Sequence, residues 1–355
     1  MSPDIDHRDF RRNRISAMAP TLFLHIGAHK TGTTYIQEAL CALEDSLLSA
    51  HNVLYLRSGR VAWGHHGLAA SCLHNRDVED LRQAIAAEIS AHEGDVLLSS
   101  ENFEMLSDEG VATLLSCFPG YQPRVFFMFR SWGSLLYSLW QEAVKHGSAR
   151  TYSAYCLPHI AFPHESSSLN FSLVLDRWFN AVGRENVALA SYDAARATGE
   201  DVCALLLRWM GVVDIAPKPT LQNQAFEPRI VETLRALNYL AKFDGRPESM
   251  AVRAAFFEIA HRHADAIREL HAIMGEHLMD TVDFNDMAAA KEYFAAFLAE
   301  HDALMIDDRE ARLAHAVEPQ TPPKVVDLGY AFEPQASSVL RELSAAVAAH
   351  IDADG

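Results

Sequence analysis

The apolar positions along this chain alternate between two spacings. Thr21 to Ile26 is an apolar run of strand character that breaks at Gly27, and after Gly32 the residues Ile36, Leu40, Leu43 and Leu47 fall on one face of a helix. Val53-Leu54-Tyr55-Leu56 predicts a short strand. Helical spacing returns at Leu81, Ile85 and Ile89, and Asp95-Val96-Leu97-Leu98-Ser99-Ser100 reads as a buried strand ending at Glu101. Ser107-Asp108-Glu109 opens a helix through Val111, Leu114, Leu115 and Phe118, which Pro119-Gly120 closes. Arg124 to Phe129 is the next strand, with Arg130 at its end, and Ser131-Trp132 begins a helix that turns Leu135, Leu136, Leu139 and Trp140 inward. A helix around Leu173 to Val182, a strand from Asn186 to Ser191 and a helix through Val202, Leu205, Leu206, Trp209 and Met210, stopped by Gly211, complete the pattern.

Strand and helix alternate at least four times before Gly211, which predicts an α/β fold: a parallel sheet flanked by helices, with a site along the carboxyl ends of the strands. Beyond Pro217-Lys218-Pro219 the pattern turns almost wholly helical. Pro228 suits a helix start before Ile230, Leu234 and Leu237, further segments lie between Met250 and Leu304, and a last helix repeats Leu340, Leu343, Val347 and Ile351 after the linker-like Pro319-Gln320-Thr321-Pro322-Pro323. The expected organisation is a mobile arm over 1–20, an α/β core over 21–215 and a helical elaboration over 216–355 packed on that core. Gly147 to Asn170, with Tyr152, Tyr155, His159 and His164, reads as a polar stretch that forms a lid or a wall of the site.

Composition narrows the partners. With 355 residues and 49% hydrophobic positions the chain can bury a large core, and its net charge of −17 argues against nucleic acid or an anionic membrane as default partner. Cys41, Cys72, Cys117, Cys156 and Cys203 are odd in number and lie mostly in apolar helical surroundings, as reduced thiols do, and no Cys-x2-Cys spacing suggests zinc. The first twenty residues are charged and lack an apolar core of signal-peptide length, and no run reaches the ~20 apolar residues of a membrane span. A cytoplasmic chain without an integral membrane segment is expected.

The chemistry concentrates in the turn Gly27-Ala28-His29-Lys30-Thr31-Gly32-Thr33-Thr34. Small residues let the backbone approach a ligand, free N–H groups at the helix start point at it, and Lys30 adds a mobile charge, so the turn reads as an anion cradle. A nucleoside-triphosphatase P-loop wants Lys directly after the second Gly and then Ser or Thr on magnesium. Here Thr33 follows Gly32, and the lysine lies two places before it.

The order Lys30-Thr31-Gly32-Thr33-Thr34 between a strand and a helix resembles the 5′-phosphosulfate loop of sulfotransferases that use 3′-phosphoadenosine 5′-phosphosulfate (PAPS). By order of motifs the resemblance spans Thr21 to Gly211. It implies that Lys30, Thr31, Gly32, Thr33 and Thr34 hold the 5′-phosphosulfate in a P-loop-like turn and that Tyr35 is an adenine-contacting aromatic. It likewise implies that Arg130 and Ser138 hold the 3′-phosphate and that Tyr192 lies at the adenine edge. Small-molecule members carry a Thr-His pair after their second strand as catalytic base. This chain has Ser100-Glu101 there, and some carbohydrate and protein sulfotransferases use glutamate.

Glu101 or His66, the latter in the glycine-flanked loop with Trp63 and His65, is the candidate base, and Lys30 the residue that stabilises the departing phosphate. The family's later Arg-Lys-Gly loop is not evident, with Asn223 and Arg229 as weak substitutes. The resemblance implies PAPS as co-substrate, no metal, and a small-molecule, glycan or lipid acceptor whose hydroxyl or amine takes the sulfuryl group. Two other readings stand beside it: a P-loop kinase of unfamiliar type, and a non-catalytic nucleotide-binding or scaffold protein whose helical half is an interaction surface.

Overall fold

The computed structural model describes residues 19–218, 226–282, 284, 287–316 and 323–354. All but the last two residues of the expected N-terminal arm, Asn223, and residues 319–322 of the expected linker lie outside the described residues.

The first half follows the alternation of the sequence. β1 (Thr21–His25) leads through the glycine turn into α1 (Thr33–His51), and β2 (Val53–Tyr55) is followed by α2 (His66–His74) and α3 (Val78–Ile89). Then come β3 (Asp95–Ser99), a short 3-10 segment Glu101–Met105 and α4 (Asp108–Ser116), and next β4 (Gln122–Phe129) with α5 (Trp132–Lys145). α6 (Tyr152–Ala161) and α7 (Ser172–Val182) precede β5 (Val187–Ser191), which feeds α8 (Tyr192–Thr198) and α9 (Val202–Trp209). The five strands form one parallel sheet in the order β2-β3-β1-β4-β5. β1 is central, with Phe23 opposite Leu97 of β3 and Arg124 of β4.

A parallel sheet covered on both faces needs strands that are apolar on both sides. Because side chains alternate along each strand, the sheet divides its apolar residues between two cores. Phe23, Leu97, Phe126 and Met128 pack with Ile36 and Leu40 of α1 and Leu205 of α9. Leu22, Leu24, Val96, Leu98 and Phe127 pack on the other face with Val111 of α4 and Leu175 of α7. The connections toward β2 and those back toward β5 thus run over opposite faces. That geometry opens a crevice beyond the carboxyl end of β1.

The second half is α10 (Pro228–Phe243), α11 (Ala251–Ile259), α12 (Ala264–Glu276), β6 (Leu278–Asp280), α13 (Ala288–His301), α14 (Arg309–Ala316), β7 (Lys324–Val326) and α15 (Pro334–Asp354). Its apolar face merges with the sheet: Phe297 of α13 meets Phe129 of β4 at a ring distance of 5.3 Å and Phe171 at 5.9 Å. The chain also returns to the edge of β5, where Ile306 N donates to Leu189 O at 3.0 Å and Ser191 N donates to the Asp307 carboxylate at 2.6 Å. Buried Arg312 holds Asp307 at 2.5 Å and Asp302 at 3.0 Å, so this return is fixed by charge as well as packing.

Some features depart from the pattern: α2 begins at His66, inside the stretch read as a glycine-flanked loop. The antiparallel pair β6–β7 was not foreseen, since three-residue strands are too short to show a period. Within the stretch Gly147 to Asn170, Tyr152 and Cys156 are buried on one face of α6, whose start Thr151 caps by accepting from Ala154 N. Polar neighbours hid that spacing. No described helix is long and apolar enough to cross a membrane. The five cysteines are free thiols, all buried except half-buried Cys41.

Two histidines lock the ends of the central strands. His65 is fully buried; its Nε2–H donates to Leu56 O at 2.8 Å and its Nδ1 accepts from Ser99 N at 3.1 Å, which fixes a neutral tautomer. His25 meets the Ser99 hydroxyl through Nδ1 at 2.8 Å. Burial lowers the pKa to about 3 for His65 and about 4 for His25. The unfolded chain therefore takes up protons first as pH falls below 6.5, so this stability is present above 6.5 and is lost on the way down to those values. We expect the urea midpoint to fall steeply between pH 6.5 and 4, each histidine contributing of the order of 3 kcal/mol. His65→Gln and His25→Asn should each flatten that slope; an unchanged pH dependence in both would refute the assignment.

Candidate functional site at the carboxyl edge of the central strand

The turn after β1 is shaped by backbone conformation. Gly27, Lys30 and Gly32 have φ of 109, 65 and 81°, all in the left-handed region that favours glycine. A Cβ on Gly32 would lie 3.3 Å from Val202 Cγ2 and 3.4 Å from Tyr192 Cε2, so the close approach also excludes a side chain. Ala28 N donates to Met128 O and Met128 N to Gly27 O, each at 2.8 Å, which extends the β1–β4 ladder into the turn. The Thr31 hydroxyl closes it by donating to Ala28 O at 2.6 Å. The N-terminus of α1 has no side-chain cap, which leaves its amides available to an anion.

Arg130 binds this turn from the neighbouring strand. Its Nη1 donates to Lys30 O at 2.7 Å, its Nε to Ser134 Oγ at 2.9 Å, and the guanidinium lies 4.8 Å from the centre of the Tyr192 ring. Burial lowers its pKa, with Asp193 and Tyr192 opposing. Asp193 accepts from Ser131 N at 2.6 Å and from the Ser134 hydroxyl at 3.1 Å, so an aspartate from α8 caps the start of α5. Lys30, Gly32, Arg130 and Tyr192 are thereby brought together. Ser138 is not joined to them: it lies one turn beyond Ser134 on α5, and the hydroxyl that Arg130 touches is Ser134's.

The remaining predicted residues fall in two groups. Lys30 Nζ pairs with Glu142 Oε2 of α5 at 2.9 Å, and Lys145 lies 3.6 Å from the same oxygen. Burial raises the Glu142 carboxyl, but Lys30, Lys145 and His146 outweigh it and the net shift is downward. Tyr35, in the first turn of α1, donates its hydroxyl to Asp201, which also accepts from Cys203 N and Ala204 N at 2.9 Å each as the cap of α9. Burial, then Asp201, pushes the Tyr35 phenol well above its ordinary range. Arg229 turns away to Glu227 at 2.7 Å.

Glu101 and His66, predicted as rivals, are neighbours. Glu101 Oε2 accepts from Gln37 Nε2 at 2.8 Å and lies 3.9 Å from His66 Nδ1, which itself meets Ser100 Oγ at 3.0 Å. Burial raises the Glu101 carboxyl, but its own backbone N–H, His66, Gln37 and His29 more than offset that, and it stays ionised below the usual carboxylate range.

Sequence reasoning missed a second acidic pair. His29 Nδ1 hydrogen-bonds Glu104, and His29 N donates to the same carboxylate at 3.3 Å. Burial lowers the imidazole, while Glu104 and then Glu101 raise it above its ordinary value against Lys30. The spacing Glu101 to Glu104 on one 3-10 turn was the available signal, since i and i+3 share a face there. Beside this pair a cavity of about 370 Å³ opens between the turn, Leu135 and Leu139 of α5, and Val174 and Arg177 of α7. No group of three or more metal-ligating side chains occurs among the described residues.

The fold and the turn define an open α/β protein with a P-loop-like strand–turn–helix on its central strand. No family model matches the chain, and no curated protein matches it. Among solved structures it is similar to a sulfotransferase from Alicyclobacillus acidocaldarius, at 15% identity over 64% of this chain and 96% of that one, with a TM-score of 0.37. At that distance the likeness carries no argument about chemistry.

Asp193 offers a test of how the site is held. Asp193→Ala should lower stability by about 1–2 kcal/mol through loss of the α5 cap, and Asp193→Asn by less. Urea unfolding of both variants measures this, and a parent-like midpoint for Asp193→Ala would refute the capping role.

Proposed function

We propose that this chain is a sulfotransferase that moves a sulfuryl group from PAPS to an acceptor hydroxyl or amine. The observation that supports this best is the uncapped turn Lys30 to Thr34 with Arg130 and Tyr192 gathered beside it. Those groups suit a bisphosphorylated adenosine: amides and Lys30 for the 5′ end, a half-buried guanidinium for the 3′-phosphate, and an aromatic ring for the base. Ser134 takes the place proposed for Ser138 as the hydroxyl nearest Arg130.

In the reaction the acceptor oxygen or nitrogen forms a bond to sulfur while the bridging phosphate oxygen leaves, and the acceptor proton passes to a base. Catalysis then rests on positioning and on charge stabilisation at the departing phosphate. Lys30 supplies that charge after exchanging Glu142 for the donor, a step that costs an ion pair and gains a more highly charged partner. Glu101, ionised and 3.9 Å from His66, is the proton acceptor we favour, with His66 orienting it.

Donor binding is tested by thermal unfolding with 3′-phosphoadenosine 5′-phosphate, ATP, and ATP with magnesium. The first should stabilise without metal by ~2.7 kcal/mol at ~100 times its dissociation constant. A larger shift with Mg-ATP would favour the kinase reading instead. Arg130→Ala should weaken 3′-phosphoadenosine 5′-phosphate far more than adenosine 5′-phosphosulfate, which lacks the 3′-phosphate, the difference being roughly 10- to 150-fold on top of any loss both share because Arg130 also holds the Lys30 carbonyl.

Single-turnover transfer separates the two bases. Glu101→Gln should keep donor affinity and lose ~10²-fold or more in rate, with a smaller effect for His66→Ala. Near-normal transfer in Glu101→Gln beside a collapse in His66→Ala would reassign the base to the histidine.

A further inference from the structure

Resting on the sulfotransferase reading, we propose that the cavity between the β1–α1 turn, α5 and α7 is the acceptor pocket, and that it takes a hydroxylated molecule with an apolar body and a carboxylate held by Arg177. The cavity measures about 370 Å³, within the range of small-molecule sites. Met105, Leu135, Leu139, Phe171 and Val174 give it an apolar wall suited to a hydrocarbon or ring.

The polar groups lie at two places on that wall. His29 and Glu104 belong to the turn side, and His29 directly precedes Lys30, so a hydroxyl placed there lies beside the proposed phosphosulfate loop. Arg177 comes from α7. Its Nη2 donates to Glu104 O at 2.8 Å, while its Nε is sealed from solvent without a hydrogen-bond partner. No carboxylate lies within ion-pair distance of this guanidinium among the described residues, although Lys30, Arg130 and Arg312 each have one.

A guanidinium keeps its charge under all ordinary conditions, and a partly buried cation without a counter-ion beside apolar walls is unfavourable. One carbonyl satisfies one of its five N–H groups and none of its charge. A carboxylate brought in by the ligand would supply the missing counter-charge and accept from the terminal N–H groups of the guanidinium. Arg177 therefore selects the acceptor, and the turn side receives its hydroxyl.

The test is calorimetric titration of the full chain, with and without 3′-phosphoadenosine 5′-phosphate. The probes are 4-hydroxybenzoate, 3-(4-hydroxyphenyl)propionate and 12-hydroxydodecanoate, each beside its methyl ester. At least one acid should bind about 10-fold or more tighter than its ester. Arg177→Met should erase that preference, Arg177→Lys should keep part of it, and Val174→Trp should block acid and ester alike by filling the cavity. Thermal midpoints of the variants separate lost binding from lost folding, and the charge-keeping Arg177→Lys serves if Arg177→Met does not fold.

The proposal is overturned if no acid binds up to about 10 mM, if acids and esters bind equally, or if Arg177→Met retains the preference. An Arg177-dependent acid preference in a protein that 3′-phosphoadenosine 5′-phosphate fails to stabilise would sink the transfer reading and leave the anion pocket standing. Donor stabilisation with acid binding indifferent to Arg177 would do the reverse.

Discussion

The hydrogen bond from Arg130 to the carbonyl of Lys30 joins the two ends on which the site depends. Without it, the turn after β1 and the first residue beyond β4 would be linked only by the sheet ladder below them. With it, a side chain from one strand sets the carbonyl orientation of a residue whose φ of 65° is otherwise unfavourable for lysine. Asp193 holds Ser131 and Ser134, Ser134 holds Arg130, and Tyr192 lies against the other side of the guanidinium. A cation so enclosed is costly unless each direction is satisfied, and here carbonyl, hydroxyl, carboxylate and ring share that work. Of the Arg130 side chain, 18% still meets solvent.

The second half of the chain supports the same point from outside. Asp307 binds Ser191 N, and Ser191 is the residue before Tyr192. Arg312 is 3% exposed and neutralises Asp307, so the C-terminal return fixes the end of β5 and with it the ring beneath Arg130. Burial raises the Asp307 carboxyl, and the Ser191 amide and Arg312 oppose it. A helical region that looks remote in sequence is thus mechanically continuous with the turn.

The fold was legible because its strands are long enough to show a continuous apolar run and its helices long enough to show a face. Thr21 to Phe129 could be parsed by period except at α2 (His66–His74), whose start falls in the stretch read as a loop. The turn was legible because its geometry is local: Gly27, Lys30 and Gly32 take positive φ within six residues. The rest of the site was not, for two physical reasons. Ser134, Glu142 and Arg177 act from helix faces whose rotation depends on tertiary packing, and Ser138 and Ser134 lie on one face of α5 with nothing in the sequence to separate them. His65 and His66 are adjacent and look alike, yet one is a neutral core residue bonded to Leu56 and Ser99, and the other stands against Glu101.

Gly27 explains why two carboxylates reach one turn without competing. With φ of 109° and no Cβ, it lets the 3-10 segment press against β1: a Cβ there would meet Glu101 Cα at 3.3 Å and Glu104 Oε2 at 3.3 Å. The segment then sends Glu101 toward Gln37 of α1 and His66 of α2, and Glu104 toward His29 and the cavity beside α7. Each acid has its own partner. In the proposed transferase Glu101 is the proton acceptor, and Glu104 stands with His29 on the wall where the acceptor enters.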